Sequence, residues 1–346
     1  NSLKSFYISI FKEKVMTYIP NPTRYDHMIY RPAGNSGLLL PALSLGLWHN
    51  FGSVDDFENA RDMIHTAFDL GITHFDLANN YGPEPGSAER NFGRILKEDF
   101  QKLRDELIIS TKAGYLMWPG PYGNWGSKKS LLASLDQSLE RLGLDYVDIF
   151  YHHCMTPETP LKETALALAD ITRCGKALYV GISNYNGKKM HKMHHRCDDF
   201  DVPFIINQNR YSILDRTVEN NDLRKEAKSK KKGLIAFSPL AQGQLTNKCA
   251  NGIPKNSRLY DNKVLWEKVG YNEARQSQIT QLYNIAQKRE QTLSQLAIQW
   301  LLEYGKVTSV LVGVHSKAQL IENLKALECE PLSKSEILQI NAIAGK

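Results

Sequence analysis

From about residue 40 onward the chain repeats one pattern: a short continuous apolar run, a loop, then a longer segment with apolar residues three or four apart. The runs LSLG, HFDLA, LIIST, VDIFY, LYVGI, FIINQ, LIAFS and SVLVG are mostly unbroken, as parallel strands buried on both faces require. After the first run, DDFENARDMIHTAFDLG sets Phe57, Ala60, Ile64, Ala67 and Phe68 at helical spacing and stops at Gly71. SAERNFGRILKEDF reads as a helix capped by Ser87, and SKKSLLASLDQSLERLG as a capped amphipathic helix ending at Gly143. PLKETALALADITRCG, KKMHKMHHRC, NDLRKEAKSKK and SKAQLIENLKAL continue the helical segments. Ahead of the repeat, HMIYRPAGNSGLLLPALSLG holds two apolar runs separated by Gly34, Asn35 and Gly37, the composition of a hairpin.

Eight strand and helix units predict an α/β fold, a (β/α)8 TIM barrel with an N-terminal β-hairpin. A doubly wound sheet is the alternative architecture, but the chain carries no G-x-G-x-x-G and no P-loop. Residues 241–274 form the one long connection, after the seventh strand, and a loop of that length is expected to cover a ligand. A single domain is expected over residues 26–346, with residues 1–25 an N-terminal extension in which Met16 is an alternative start. The apolar patch FYISIF is shorter than a secretory core, and no small-residue cleavage site follows it.

Composition narrows the classes. With 42% hydrophobic and 23% charged residues in 346, the chain is ordinary globular protein, and its longest apolar stretch, Leu38 to Trp48, is too short and too interrupted to enter a bilayer. Five cysteines with no C-x-x-C argue against a disulfide framework and for a reducing compartment, so a cytoplasmic location is expected. The formal charge of +6 is mild, and the lysines of AKSKKKG have no interleaved aromatics, so nucleic-acid binding is not expected.

On a barrel, Asp76, Lys112 and His153 stand at the C-terminal ends of successive strands, with Tyr81 in the adjoining loop. An acid and a phenol this close at the mouth of a barrel suggest proton chemistry, and hence an enzyme. Asp76 and Tyr81 in DLANNYG, a Lys closing IISTK and a His closing DIFYHH resemble the catalytic tetrad of the aldo-keto reductase family, and GISNYN, FSPLAQG and QLIENLKAL extend the resemblance from about residue 27 to the C-terminus. GLWHNFG, ANNYGP and AGYLMWPGPYG are similar to the branch that holds the potassium-channel β-subunits and the bacterial L-glyceraldehyde 3-phosphate reductases. Channel members often lack the His, so His153 favours the reductases.

The resemblance implies NADPH-dependent reduction of a small carbonyl compound, glyceraldehyde 3-phosphate or methylglyoxal in kind, with a cofactor-binding regulatory β-subunit of a potassium channel as the alternative. It also implies a homo-oligomer, tetrameric or larger. By elementary chemistry a phenol with a pKa near ~10 needs a neighbouring cation to lower it; Lys112 would supply one, held by Asp76, while His153 orients the carbonyl. The hydride must come from a cofactor.

Carried over by segment, Ser183, Asn184 and Gln208 would bind the nicotinamide carboxamide and Phe237 would stack beneath the ring. Ser238, the backbone at Leu240 and Lys248 would hold the pyrophosphate. Arg258, His315, Lys317 and Gln319 fall where relatives grip the 2′-phosphate, and Glu322 and Asn323 where they hold adenine. Many relatives carry an Arg at the position of Gln319, so NADPH preference rests here on Arg258 and Lys317. Trp48, Tyr115, Trp118 and Tyr122 would form the substrate rim, Trp48 also facing the cofactor. Arg94 and Lys97 belong to a solvated helix face.

HKMHHRC, with His191, His194, His195 and Cys197, has metal-ligand residue types, but no second ligand pair lies near it in sequence, and it reads as the polar face of an outer helix, with no metal expected. Cys154, next to His153, reads as a packing cysteine beside the site.

Overall fold

The computed structural model describes residues 18–156, 159–255, 260, 262, 264, 266–267 and 270–345. Strands β1 (Tyr30–Pro32) and β2 (Leu39–Pro41) pair antiparallel as the expected hairpin. The eight apolar runs become β3 (Leu43–Gly46), β4 (His74–Asp76), β5 (Ile108–Ala113), β6 (Val147–His152), β7 (Ala177–Ser183), β8 (Phe204–Arg210), β9 (Gly233–Phe237) and β10 (Ser309–Val312). They close into a parallel barrel, in chain order, with β10 pairing both β9 and β3. Closure leaves no strand edge exposed.

The strands are apolar on both faces because each face meets a different core. Outside the barrel, alternate residues pack against the helices: Phe75 of β4 meets Phe92 of the helix Ser87–Asp99 at 5.3 Å between ring centroids. Inside, Ile149, Tyr151, Ile206, Ile235 and Leu311 fill the barrel, joined by Ala33 and Leu40 of the hairpin. The hairpin turn donates from Asn35 N–H to the Lys231 carbonyl just ahead of β9, so it closes the N-terminal end of the barrel. Gly181 of β7 is needed there for space, since a Cβ would stand 2.3 Å from the Tyr151 ring.

β5 shows how the two-residue alternation sorts polar side chains. Thr111 points outward and donates to Glu89 at 2.5 Å, which also accepts from Arg141 at 2.7 Å, so a buried carboxylate links β5 to two helices. Ser110 and Lys112 point inward.

The helix Phe57–Asp69 starts at Asp56, whose carboxylate accepts from the N–H groups of Glu58 and Asn59. The helix Lys128–Leu142 is capped by Ser127 and ends at Gly143 in the left-handed region (φ 66°). Ser87 does not cap. Gly86 holds the cap position of Ser87–Asp99, and the Ser87 hydroxyl instead accepts from Ser53 N–H at 3.1 Å, a tertiary bond to the loop after β3 that outweighs the local one.

In the helix Gly187–Asp198, Cys197 is buried with Met190 and Met193 while His191 and His195 face solvent, so the four metal-type residues do not converge. Among the described residues no helix is long and apolar enough to cross a membrane. All five cysteines are unpaired. Arg94 lies outside, bonded to Glu98 at 2.8 Å and over the Phe57 ring.

Candidate active site

Asp76 ends β4, Lys112 lies one residue from the end of β5 and His153 follows β6, so three neighbouring strands deliver three side chains to one end of the barrel. The loop after β4 returns Tyr81 over them. Lys112 is fully buried and uses its three donors on Asp76 Oδ2, the Leu77 carbonyl at 2.7 Å and Tyr81 Oη at 3.3 Å. Because Tyr81 Oη accepts from Lys112, its own proton is left to point away, toward the cavity that Tyr81 lines.

Asp76 is held from its other side by a chain of buried hydrogen bonds across the barrel interior. Its Oδ1 accepts from Gln208 Nε2 at 2.9 Å and from Ser110 Oγ at 2.7 Å. Ser110 Oγ lies 2.9 Å from His74 Nε2, His74 Nδ1 lies 2.8 Å from Ser44 Oγ, and Ser44 Oγ lies 2.6 Å from Ser309 Oγ. Burial lowers the His74 pKa to about 4, so the ring is neutral at physiological pH. Since the Ser110 proton goes to Asp76, His74 Nε2 must carry the hydrogen and Nδ1 must accept, which fixes every proton from Ser309 onward in the direction of Asp76.

Burial, followed by the Asp76 charge and Tyr115, raises the Tyr81 pKa well above its ordinary value. Burial likewise pushes Lys112 down, against the pull of Asp76. The expected lowering of the phenol by Lys112 is therefore not what the structure shows: Asp76 offsets the ammonium charge, and loss of water disfavours phenolate. His153 is pushed well below the ordinary histidine range by burial and then by Lys112, so it too is neutral. Its ring meets Tyr81 edge-on at 6.0 Å and Tyr115 at 4.6 Å, and its carbonyl accepts from Asn184 Nδ2 at 3.0 Å.

Asp76, Tyr81 and His153 line a cavity of about 990 Å³, at the upper end of the range for small-molecule and cofactor sites. A model of the aldo/keto reductase family matches residues 42–344. The chain belongs to that family. It is 54% identical over 330 residues to the L-glyceraldehyde 3-phosphate reductases of Escherichia coli K12 and O157:H7, covering 94% of this chain and 95% of each relative. A Schizosaccharomyces pombe protein described as a voltage-gated potassium channel subunit beta is 32% identical over 318 residues, 90% of this chain and 91% of that one.

As an aldo/keto reductase, the chain is an oxidoreductase of a family that uses nicotinamide cofactors, and the cavity has the groups to hold one. Ser183, Asn184 and Gln208 offer amide and hydroxyl groups on one wall beside the Phe237 ring. The following turn places Ser238, Ala241, Gln242 and Gly243 at φ between 48° and 91°, a left-handed run of the kind that forms anion-binding backbone concavities. Trp48, Tyr115, Leu240, His315 and Gln319 also line the cavity.

Other expected residues lie elsewhere. Trp118 is half-buried over Gly123, and Tyr122 faces solvent with Lys129 Nζ 5.4 Å from its ring centroid. Lys317 pairs with Asp62 at 3.0 Å, Lys248 and Glu322 are exposed off the cavity wall, and Asn323 is buried with its Nδ2 unbonded. Gln319 accepts from His315 N–H at 3.0 Å. Arg258, like much of 256–269, lies outside the described residues.

Three features in and behind the cavity escaped sequence reasoning. Asn50, in the left-handed region (φ 72°), ties the loop after β3 to the Val314 carbonyl at 2.9 Å; the Asn-x-Gly spacing of HNFG was its signal. Arg210 ends β8, marked only by a charge closing the apolar run FIINQ. The His74 chain had no local signal at all.

Proposed function

We propose that this aldo/keto reductase reduces small aldehydes at the expense of NADPH, with Tyr81 as the proton donor and a phosphorylated triose of the glyceraldehyde 3-phosphate type as substrate. The observation that carries the reading is Tyr81 Oη accepting from Lys112 at the cavity floor, which leaves a phenolic proton available to a ligand oxygen. The 54% identity to two L-glyceraldehyde 3-phosphate reductases supports the substrate class, and the higher identity to them than to the channel-subunit protein favours enzymatic turnover.

The reduced nicotinamide, when bound, supplies the hydride that the protein cannot. The chain supplies the rest. Phe237, with Ser183, Asn184 and Gln208, sets the place of the ring, while the Ser238–Gly243 turn, with Leu240, receives the pyrophosphate. Arg258 and Lys317 are the cations assigned to the 2′-phosphate, Lys317 after leaving Asp62.

As the carbonyl oxygen gains charge, the Tyr81 proton moves to it and Lys112 stabilises the phenolate left behind. A raised pKa does not disable this acid. Tyr81 stays protonated at working pH, and an alkoxide is far more basic than any phenolate it creates. Neutral His153 orients the carbonyl beside Tyr81, and Asn184 fixes the backbone from which it projects. Aldehyde, hydride and proton give the primary alcohol and the oxidised cofactor.

The test is oxidation of NADPH and NADH by the purified protein against L-glyceraldehyde 3-phosphate, glyceraldehyde and methylglyoxal, beside Tyr81→Phe. The variant should bind NADPH almost as wild type does and lose about 10²–10⁴-fold in kcat, the usual share of general-acid catalysis. Near-normal turnover in Tyr81→Phe refutes the assigned proton donor.

A further inference from the structure

Arg210 is the sole Lys or Arg among the described residues that line the cavity. It ends β8 two residues after Gln208, so the strand alternation sends it to the same side as the amide that touches Asp76. Its Cα is in register with Phe237 of β9, and its side chain is exposed.

Every other described arginine has a bonded partner. Most meet carboxylates, as Arg61, Arg141, Arg216 and Arg289 do, while Arg31, Arg173 and Arg275 donate to carbonyl oxygens. Arg210 has neither kind among the described residues. Its charge opposes the burial that raises the pKa of the Tyr115 phenol, whose ring lies edge-on to His153. An unpaired guanidinium kept open at the lip of a cavity is a ready fork for a phosphate ester.

We propose that Arg210 binds the phosphate of the substrate and thereby selects phosphorylated aldehydes over their unphosphorylated counterparts. The inference rests on the reductase reading above and goes beyond it by naming the residue that sets the substrate class. The shared chemistry of the cofactor pyrophosphate is the competing source. Its place on β8, two residues beyond the Gln208 amide that bonds Asp76 and on the same strand face, puts Arg210 with the reacting end of the cavity, and this decides for the substrate.

The test compares wild type, Arg210→Met and Arg210→Lys at saturating NADPH. We expect Arg210→Met to lose about 10–100-fold in kcat/KM for glyceraldehyde 3-phosphate and far less for glyceraldehyde, with partial recovery in Arg210→Lys, as for removal of a hydrogen bond to a charged group. Equal losses on both aldehydes overturn the proposal. A weakened NADPH Kd with unchanged discrimination also overturns it and moves the guanidinium to the pyrophosphate. Calorimetric titration of the NADP+ complex with glycerol 3-phosphate provides a readout without turnover: the proposal requires weaker binding in Arg210→Met and fails if the two proteins bind alike. Should wild type turn over none of the aldehydes yet show this binding difference, the reductase reading falls while the phosphate site stands.

Discussion

Two buried histidines should make the protein acid-labile to a calculable extent. His74 and His152 are both fully enclosed, and burial lowers the pKa of each from 6.5 to about 4. His74 is bonded at both nitrogens to serines, and His152 Nδ1 lies 2.7 Å from the Tyr185 hydroxyl. Because the folded pKa lies below the unfolded one, the unfolded chain binds more protons between the two values. Stability is therefore complete above pH 6.5 and drains away as the pH falls toward 4.

At pH 4.5 an unfolded histidine is almost wholly charged while the folded one is mostly neutral, which amounts to about 2.5 kcal/mol per site, or roughly 5 kcal/mol for the pair, at 1.36 kcal/mol per pKa unit. The assay is urea unfolding of the cofactor-free protein at pH 7.5 and 4.5, comparing wild type with His74→Gln. The substitution lowers stability at both pH values but removes one titration, so its loss on acidification should be smaller by about 2.5 kcal/mol. Carboxylates common to both proteins cancel in the difference. Equal losses in the two proteins refute the claim that His74 is held neutral by burial.

Two structural predictions accompany those for Tyr81 and Arg210. Glu89→Ala strands Arg141 and leaves Thr111 without its acceptor, and should cost about 3 kcal/mol or more by urea unfolding, as loss of one partner of a buried ion pair does. An unchanged midpoint refutes the role of Glu89 in tying β5 to its helices. Gly181→Ala drives a methyl into the Tyr151 ring inside the barrel and should cost about 1–3 kcal/mol of overpacking, measured the same way; a neutral result means that Tyr151 has room to turn aside.

Legibility differed by element. The eight apolar runs were readable because a strand enclosed on both faces is built mainly of apolar residues, and Gly143 was readable because few residues take its backbone angle cheaply. Ser87 misled because a helix start offers several hydroxyl positions, and only the neighbouring loop decides which one is free to cap. Trp118 and Tyr122 lie off the cavity lining, a placement the sequence could not give because aromatic type says nothing of which way a loop turns its side chains.

By itself the sequence determined the barrel, through the periodicity of burial, and the family, through residue types spaced as strand ends require. Their order along the chain put Asp76, Lys112 and His153 on neighbouring strands before any geometry was known. Only closure of the barrel brought Ser309 against Ser44, 265 residues away, and so built the chain that orients Asp76. Only burial set the direction of the Tyr81 and Lys112 shifts, since removal of water outweighs the pairing that sequence suggests. And only the packing of the other arginines showed Arg210 to be the one without a partner among those described, because spare charge belongs to an assembled surface rather than to any local stretch of chain.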